Sequence, residues 1–418
     1  MSNRRQLGVR LPVLSDDLWI EILLSLPVES LLRFQCVSKS WKSIISSPTF
    51  ISMHTHHSES THNHARHLLH WFADKGGGVL DMQYQLFQIN DSFNEFQKLE
   101  YPCQIRGGGY LVVLDCKGLI LFAPLVRKNG LASLVLWNPA IRMSMTLSQP
   151  YKFGRFDGTA HVYGFGFDHT SNDYKVLRMV LIVDLGCRKS MLPFLSLAEL
   201  YKLRTGTWET VKVAEDFQYT IADNRQALVN GASHWVGYHK RDMDFPKLVV
   251  LLFHMCEEEF RVMKLPDCLS SLNADLTKIG VSGGLLSLME YNLHDASVWL
   301  MKEYGVVESW TKQFTLKDGR WFSPIFSFWN NEMILELKKR EGVGLLYDLK
   351  THKLIKNLRI RSDQVIESLI VKNTFVETLV LFNEVHAIRE CENCLKRDMW
   401  CDSEKINEAK GKNCTREN

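Results

Sequence analysis

Several groups of residues have types and spacings that could do chemistry. Gly280-Val-Ser-Gly-Gly284 fits Gly-x-Ser-x-Gly, the elbow that presents a serine nucleophile for acyl transfer. That elbow needs strand, turn, then helix. Here Leu285-Leu-Ser-Leu-Met-Glu-Tyr291 follows and reads as a strand, and no Asp and His are placed to complete a triad. The motif is therefore read as a glycine turn between strands. Residues 54–70 hold seven of the 15 histidines (54, 56, 57, 62, 64, 67 and 70), and clustered imidazoles can bind zinc or nickel. Their spacing is irregular, and the Ser, Thr and Asn between them point to a solvated linker. Cys391-x2-Cys394 is followed by Cys401 and Cys414. A four-thiolate zinc site needs two close pairs, and only one is present. Gly76–Gly78 and Gly107–Gly109 lack the Lys-Ser/Thr of a phosphate-binding loop and read as plain loops. The recurring Trp137, Trp208, Trp235, Trp299, Trp310, Trp321 and Trp329 suit packing between repeats better than a ligand pocket. The expectation is a protein with no catalytic residue, metal site or cofactor of its own.

Composition narrows the classes further. With 418 residues, 45% hydrophobic and 23% charged, the chain has the makeup of a folded multi-domain protein. Fifty Lys+Arg against 47 Asp+Glu leave a formal +3, so neither nucleic acid nor an anionic membrane is an expected partner. The apolar run Leu248–Phe253 is too short to span a bilayer. The start, Met1-Ser-Asn-Arg-Arg-Gln-Leu-Gly, has basic residues with no apolar core behind them, so no signal peptide is read there. The ten cysteines then read as reduced thiols of a protein in the cytoplasm, the nucleus or both.

The elements that would position functional residues change character along the chain. Residues 1–13 read as a flexible terminus, 14–53 as a helical module, 54–65 as a His-rich linker, 66–385 as a β domain and 386–418 as a flexible charged tail. In the helical module Ser15 or Asp16 can cap a first helix with Leu18, Ile22 and Leu26 on one face. Pro27 opens a second helix from Glu29 to about Cys36. A third starts near Ser38 or Ser40 and stops at Ser47-Pro48. Helices this short are marginal alone, and a module of this size buries little core, so a partner should cover its spare apolar face.

The β region repeats. Segments beginning at Leu134, Leu200, Val249, Val298 and Leu345 share one strand–turn–strand pattern. Each follows another hairpin: Leu111–Phe122, Val162–Val183, Ala227–Val236, Ile279–Met289 and Ile325–Leu337. A period of about 47 to 66 residues with four strands per copy predicts a β-propeller. Five copies fill 110–358. Tyr84–Ile89 and Glu95–Leu99 from the start would join Ile366–Val371 and Glu377–Phe382 from the end as a sixth blade, with no exposed edge left at the closure. Arg66–Phe72 is a further candidate strand that would allow a seventh. The fold class expected is mainly β with a small all-α N-terminal module, six blades being preferred.

The segment from Leu14-Ser-Asp-Asp-Leu-Trp to Ser47-Pro-Thr-Phe50 resembles an F-box. Downstream, Leu136-Trp-Asn-Pro-Ala, Gly164-Phe-Gly-Phe-Asp, Asp173-Tyr-Lys-Val, Asn230-Gly-Ala-Ser-His-Trp and Trp299-Leu-Met-Lys-Glu-Tyr-Gly-Val-Val-Glu-Ser-Trp resemble the plant F-box-associated, kelch-like interaction domain. Pollen S-locus F-box proteins share this architecture. The resemblance implies a non-catalytic substrate receptor of a Skp–cullin–F-box ubiquitin ligase; the alternatives are an enzyme with a hydrolase-like site in the propeller channel, or an F-box protein acting outside the ligase as a scaffold. The receptor's F-box would bind a Skp-family adaptor, and through it a cullin scaffold, while the propeller recruits a protein target. By the same resemblance the adaptor contacts would be Leu14, Ile22, Leu26, Pro27, Leu31, Leu32, Val37, Ser38 and Trp41. Ser15 stands where the family usually has proline.

Overall fold

The structure is a computed structural model that describes residues 15–60, 65–74, 81–89, 96–99, 110–124, 134–148, 159–183, 193–214, 217–239, 247–291, 295–317, 322–329, 332–337, 343–348, 353–359, 366–381 and 388–389. Helix α1 (Asp16–Leu24) is capped by Ser15, whose side chain accepts from the Leu18 N–H at 3.5 Å. Pro27 breaks the chain before α2 (Val28–Phe34). Ser38 caps α3 (Lys39–Ile45) by accepting from the Trp41 N–H at 3.1 Å. Ser47-Pro48 ends α3 as expected, but it also starts another helix. Proline suits the first helical position, and Ser47 Oγ accepts from the Phe50 N–H at 3.2 Å. Helix α4 (Pro48–Ser60) therefore runs through His54, His56 and His57, and the linker expected over 54–65 begins as helix. Leu23, Val28, Leu31, Ile45 and Phe50 form the buried core of this module.

The β domain opens with β1 (Ala65–Asp74), β2 (Asp81–Ile89) and β3 (Phe96–Leu99). Then come β4 (Tyr110–Cys116), β5 (Leu119–Pro124), β6 (Val135–Asn138) and β7 (Met143–Thr146). The next group is β8 (Thr159–Asp168), β9 (Asp173–Val183), β10 (Pro193–Lys202) and β11 (Thr207–Val211). It is followed by β12 (Tyr219–Ile221), β13 (Ala227–Val229), β14 (Ala232–His239), β15 (Leu248–His254) and β16 (Glu259–Lys264). Short helix α5 (Asp267–Ser270) leads to β17 (Thr277–Ser282), β18 (Leu285–Tyr291), β19 (Asp295–Met301) and β20 (Trp310–Lys317). The last are β21 (Phe322–Trp329), β22 (Glu332–Leu337), β23 (Val343–Asp348), β24 (Lys353–Arg359), β25 (Ile366–Phe375) and β26 (Ile388–Arg389).

These strands form antiparallel sheets in the orders β25-β1-β2-β3, β26-β7-β6-β5-β4, β11-β10-β9-β8, β12-β14-β15-β16 with β13 on β14, β17-β18-β19-β20 and β21-β22-β23-β24. Each is one blade-like unit, all but the first two built from consecutive strands alone, and the first is closed by both ends of the domain, as the sequence suggested. The closing strands differ from the expected pair. Arg66–Phe72 belongs to β1 of that sheet rather than to a further blade, and only β25 comes from the C-terminal side. Glu377–Phe382, expected as a strand, is not one over its described residues 377–381. Its polar groups are spent elsewhere: the Asn138 Nδ2 amide donates to the carbonyls of Thr378 and Val380, each at 2.8 Å. The tail expected to be flexible from 386 contains β26, which pairs with the outer edge of β7 and covers it.

Packing between sheets fixes the motif residues. The Trp235 ring lies 3.0 Å from where a Cβ on Gly164 would sit, so Gly164-Phe-Gly and the tryptophan of Asn230-Gly-Ala-Ser-His-Trp fit each other across two blades. Trp137, Trp235 and Trp310 are buried in such cores. Gly283 and Gly284 both have positive φ in a two-residue turn between β17 and β18, which accounts for the Gly-x-Ser-x-Gly pattern as a hairpin. Lys117-Gly118 makes the same kind of turn between β4 and β5. A Cβ on Gly118 would stand 2.1 Å from the Val376 carbonyl oxygen. With φ at +82° as well, Gly118→Ala is expected to lower stability by more than about 1 kcal/mol, read in a thermal melt.

Candidate functional site

The helical module sits on the end of the β domain formed by the tight turns. Ile141 and Ala140, from the β6–β7 turn, pack against its core. Lys117 Nζ, from the β4–β5 turn, donates to Glu59 of α4 at 2.7 Å, and Ser52 of α4 donates to Asn172 of the β8–β9 turn at 3.2 Å. His54 is buried, with its Nε2–H donating to the Leu26 carbonyl at 2.9 Å; burial lowers its pKa. It therefore ties α4 to the end of α1. Among the described residues no group of His, Cys, Asp and Glu is placed to hold a metal. Cys391, Cys394, Cys401 and Cys414 lie outside them. Cys116, Cys256 and Cys268 are free thiols, whereas Cys36 is disulfide-bonded, a departure from the expectation of uniformly reduced cysteines.

The helical module leaves large apolar side chains exposed. Leu18 is 46% exposed and Ile22 is 42% exposed, one turn apart on α1. Val37, in the turn between α2 and α3, is 66% exposed. Leu26, Leu32 and Trp41 are half-buried, and Pro27 and Ser38 are exposed. Trp41 is held by ring contacts to Trp19 at 5.3 Å and Phe34 at 5.0 Å, which bring α1, α2 and α3 together. Of the contact residues expected from the resemblance, Leu14 lies outside the described residues. Leu31 is different in kind: it is 0% exposed, in the centre of the helical core. Helical spacing places Leu31 and Leu32 side by side, but only one can face outward, and that one is Leu32. Ser38 has a structural duty as the α3 cap. Leu18 lies outside that set, yet its i, i+4 spacing from Ile22 puts it on the same face of α1.

Comparison with known proteins agrees with this division. Residues 11–52 match the F-box domain, and residues 72–382 match the F-box associated beta propeller domain. F-box protein CPR1 of Arabidopsis thaliana is 30% identical over 373 residues, covering 82% of this chain and 84% of that protein. F-box/kelch-repeat protein At3g23880 of Arabidopsis thaliana is 27% identical over 334 residues, covering 78% and 85%. A chain from the crystal structure of a nidogen/laminin complex aligns over 73% of this chain and 98% of its own at TM-score 0.43 and 12% identity, too loose a likeness to argue from. The fold is that of an F-box protein. The chain belongs to the plant F-box proteins that carry an F-box-associated β-propeller domain.

Proposed function

We propose that this chain is the substrate receptor of a Skp–cullin–F-box ubiquitin ligase, non-catalytic itself, with the F-box docked on a Skp-family adaptor. The observation that carries the reading is where apolar surface remains. Among the described residues the large exposed hydrophobic side chains are Leu18, Ile22, Val37, Met53 and Tyr304, and all but Tyr304 lie in the helical module. Described residues that leave such side chains mainly on one small module present a protein-binding surface there. The docking set is then Leu18, Ile22, Leu26, Pro27, Leu32, Val37 and Trp41, with Leu31 supporting it from beneath.

The target is assigned to the other end of the propeller. The F-box occupies the end with the tight β4–β5, β6–β7 and β8–β9 turns. The antiparallel alternation of the sheets places Pro124, Val135, Val183, Pro193, His239 and Leu248 at the opposite ends of the strands. Longer connections on a fixed scaffold are where binding chemistry varies. Holding a target there raises its effective concentration near the transferase, which is the whole contribution of a receptor. The test is reconstitution with adaptor, cullin, RING subunit and charged ubiquitin-conjugating enzyme. Ubiquitin transfer onto the receptor or a co-captured protein should require this chain. Transfer no greater than that of the complex without it would contradict the reading.

A further inference from the structure

Residues 376–381 connect the two domains in a way that neither domain's own fold requires. After β25 the chain leaves the sheet and passes over the β4–β5 turn, so close that Gly118 has no room for a side chain. Glu377 turns toward the F-box, where its Oε2 accepts from the Val28 N–H at 2.9 Å. Helix α2 starts after Pro27 with no side-chain cap of its own, so this carboxylate from 349 residues away satisfies one of its free N–H groups. The Thr378 hydroxyl meets the Thr55 hydroxyl of α4 at 2.8 Å, with both residues buried. Leu379 is fully buried in the F-box core with Leu23, Val28, Leu31, Ile45 and Phe50. Two residues on, Leu381 is buried in the propeller core with Leu121, Leu136 and Phe165. The backbone on either side of Leu379 is gripped by Asn138, which is buried, and Leu381 holds a left-handed φ of +75° that any sliding of the segment would have to undo.

We propose that residues 376–381 are a positioning strap that fixes the F-box at one angle on the propeller. Domains in one chain ordinarily move relative to each other unless a sizeable apolar interface stops them. Here a single short segment places one leucine in each core and spends its polar groups on both. The consequence, which rests on the receptor reading, is that a bound target is presented at a set distance from the transferase. Geometry of that kind matters because misplacement of the reacting groups is itself a loss of rate. Glu377, Thr378 and Leu379 are the positioning residues.

The experiment places spin labels, through non-natural amino acids, at exposed Ser43 of α3 and Lys264 of β16 in the full chain. Distance distributions are then read by electron double resonance. The wild type should give one narrow distribution. Glu377→Ala combined with Thr378→Val, and separately Leu379→Ala, should broaden it about two-fold, the behaviour of two domains joined without a fixed interface. The polar pair of changes leaves the apolar cluster intact, so it decides the matter if Leu379→Ala costs helix content. A broad distribution in the wild type, or an unchanged width in the polar double variant, would overturn the strap. Adaptor binding is measured in parallel on unlabelled protein. Failure of the wild type to bind adaptor would overturn the receptor reading while leaving the width, and the strap, as measured.

Discussion

Ile22→Asp combined with Val37→Asp is expected to weaken binding of a Skp-family adaptor at least ~100-fold, about 2.7 kcal/mol, with the melting temperature of the protein unchanged. Both side chains are exposed and neither belongs to the helical core, so carboxylates there meet water in the free protein. Docking would bury them without partners, and an unpaired buried charge costs several kcal/mol unless it neutralises. Isothermal titration reads the affinity, and circular dichroism shows that the helices persist. Leu31→Asp is the instructive contrast. Its site is closed in the free protein, so the carboxylate disrupts the core before any partner arrives. Loss of binding in that variant would report unfolding of the F-box and say nothing about contact. A double variant that is folded and binds normally would place the adaptor on another surface.

The largest effect on the propeller itself is expected from Lys175→Met, at about 3–5 kcal/mol of destabilisation, which in a domain of this size lowers the melting temperature by on the order of 10 °C. Lys175 is buried between two blades. Its Nζ donates to Asp168 at 2.7 Å, to Glu258 at 2.7 Å and to the Met255 carbonyl at 2.8 Å. Asp168 also accepts from the N–H groups of Thr170 and Ser171 and from the Ser171 hydroxyl, which shapes the turn between β8 and β9. Glu258 keeps a second cation, Lys202, at 3.1 Å, whereas Asp168 would be left as a buried charge with no counterion. Burial pushes the Asp168 carboxyl up, but hydrogen bonds from Cys256, Lys175 and Ser171 outweigh it and hold the group well below the carboxylate range. Glu258 is lowered in the same way by Lys175 and Lys202, against its own burial. Lys175 is raised, its burial being outweighed by hydrogen bonds to the two acids. Depressed carboxylates contribute stability above their unfolded pKa of about 4 and lose it as pH falls through the folded values; the raised lysine contributes below about 10.4 and loses it as pH rises further. The cluster is therefore at full strength between about pH 4 and pH 10, and the wild-type melt should fall on the acid side of that window more steeply than the melt of Lys175→Met. Adding Asp168→Leu to Lys175→Met should recover part of the loss, because an apolar pair replaces an orphaned charge. A single-variant loss below about 1 kcal/mol would mean that water reaches the site and screens it.

Much of this architecture is legible in the sequence because it depends on local pattern. Strand alternation, the Asn-Gly and Gly-Gly turns and the repeat itself locate nearly every hairpin, and closure of the ring by both ends follows from counting strands. Ser15 and Ser38 declare the starts of α1 and α3 through their hydrogen-bonding chemistry. Most of the failures are long-range. Glu377–Leu381 has strand-like alternation, but its partners are a helix start 349 residues away and the asparagine that ends β6, and no local period encodes either. Pro48 reads as a helix stop and is also a helix start, since the same missing N–H permits both. Leu31 and Leu32 are chemically alike, and only the packed core separates buried from available. Asp168 and Lys175 stand in the recognisable segments Gly-Phe-Gly-Phe-Asp and Asp-Tyr-Lys-Val, yet the bond from Lys175 to Glu258 joins different blades and becomes visible only in three dimensions.

The most direct test of the central claim is isothermal titration of the unmodified full-length protein with a purified Skp-family adaptor. A saturable one-to-one complex with sub-micromolar affinity is the result expected of apolar anchors such as Ile22 and Val37 seated in a partner's pockets. No heat and no complex, from protein whose helices and propeller are folded, would contradict the assignment of the open F-box face as a docking surface.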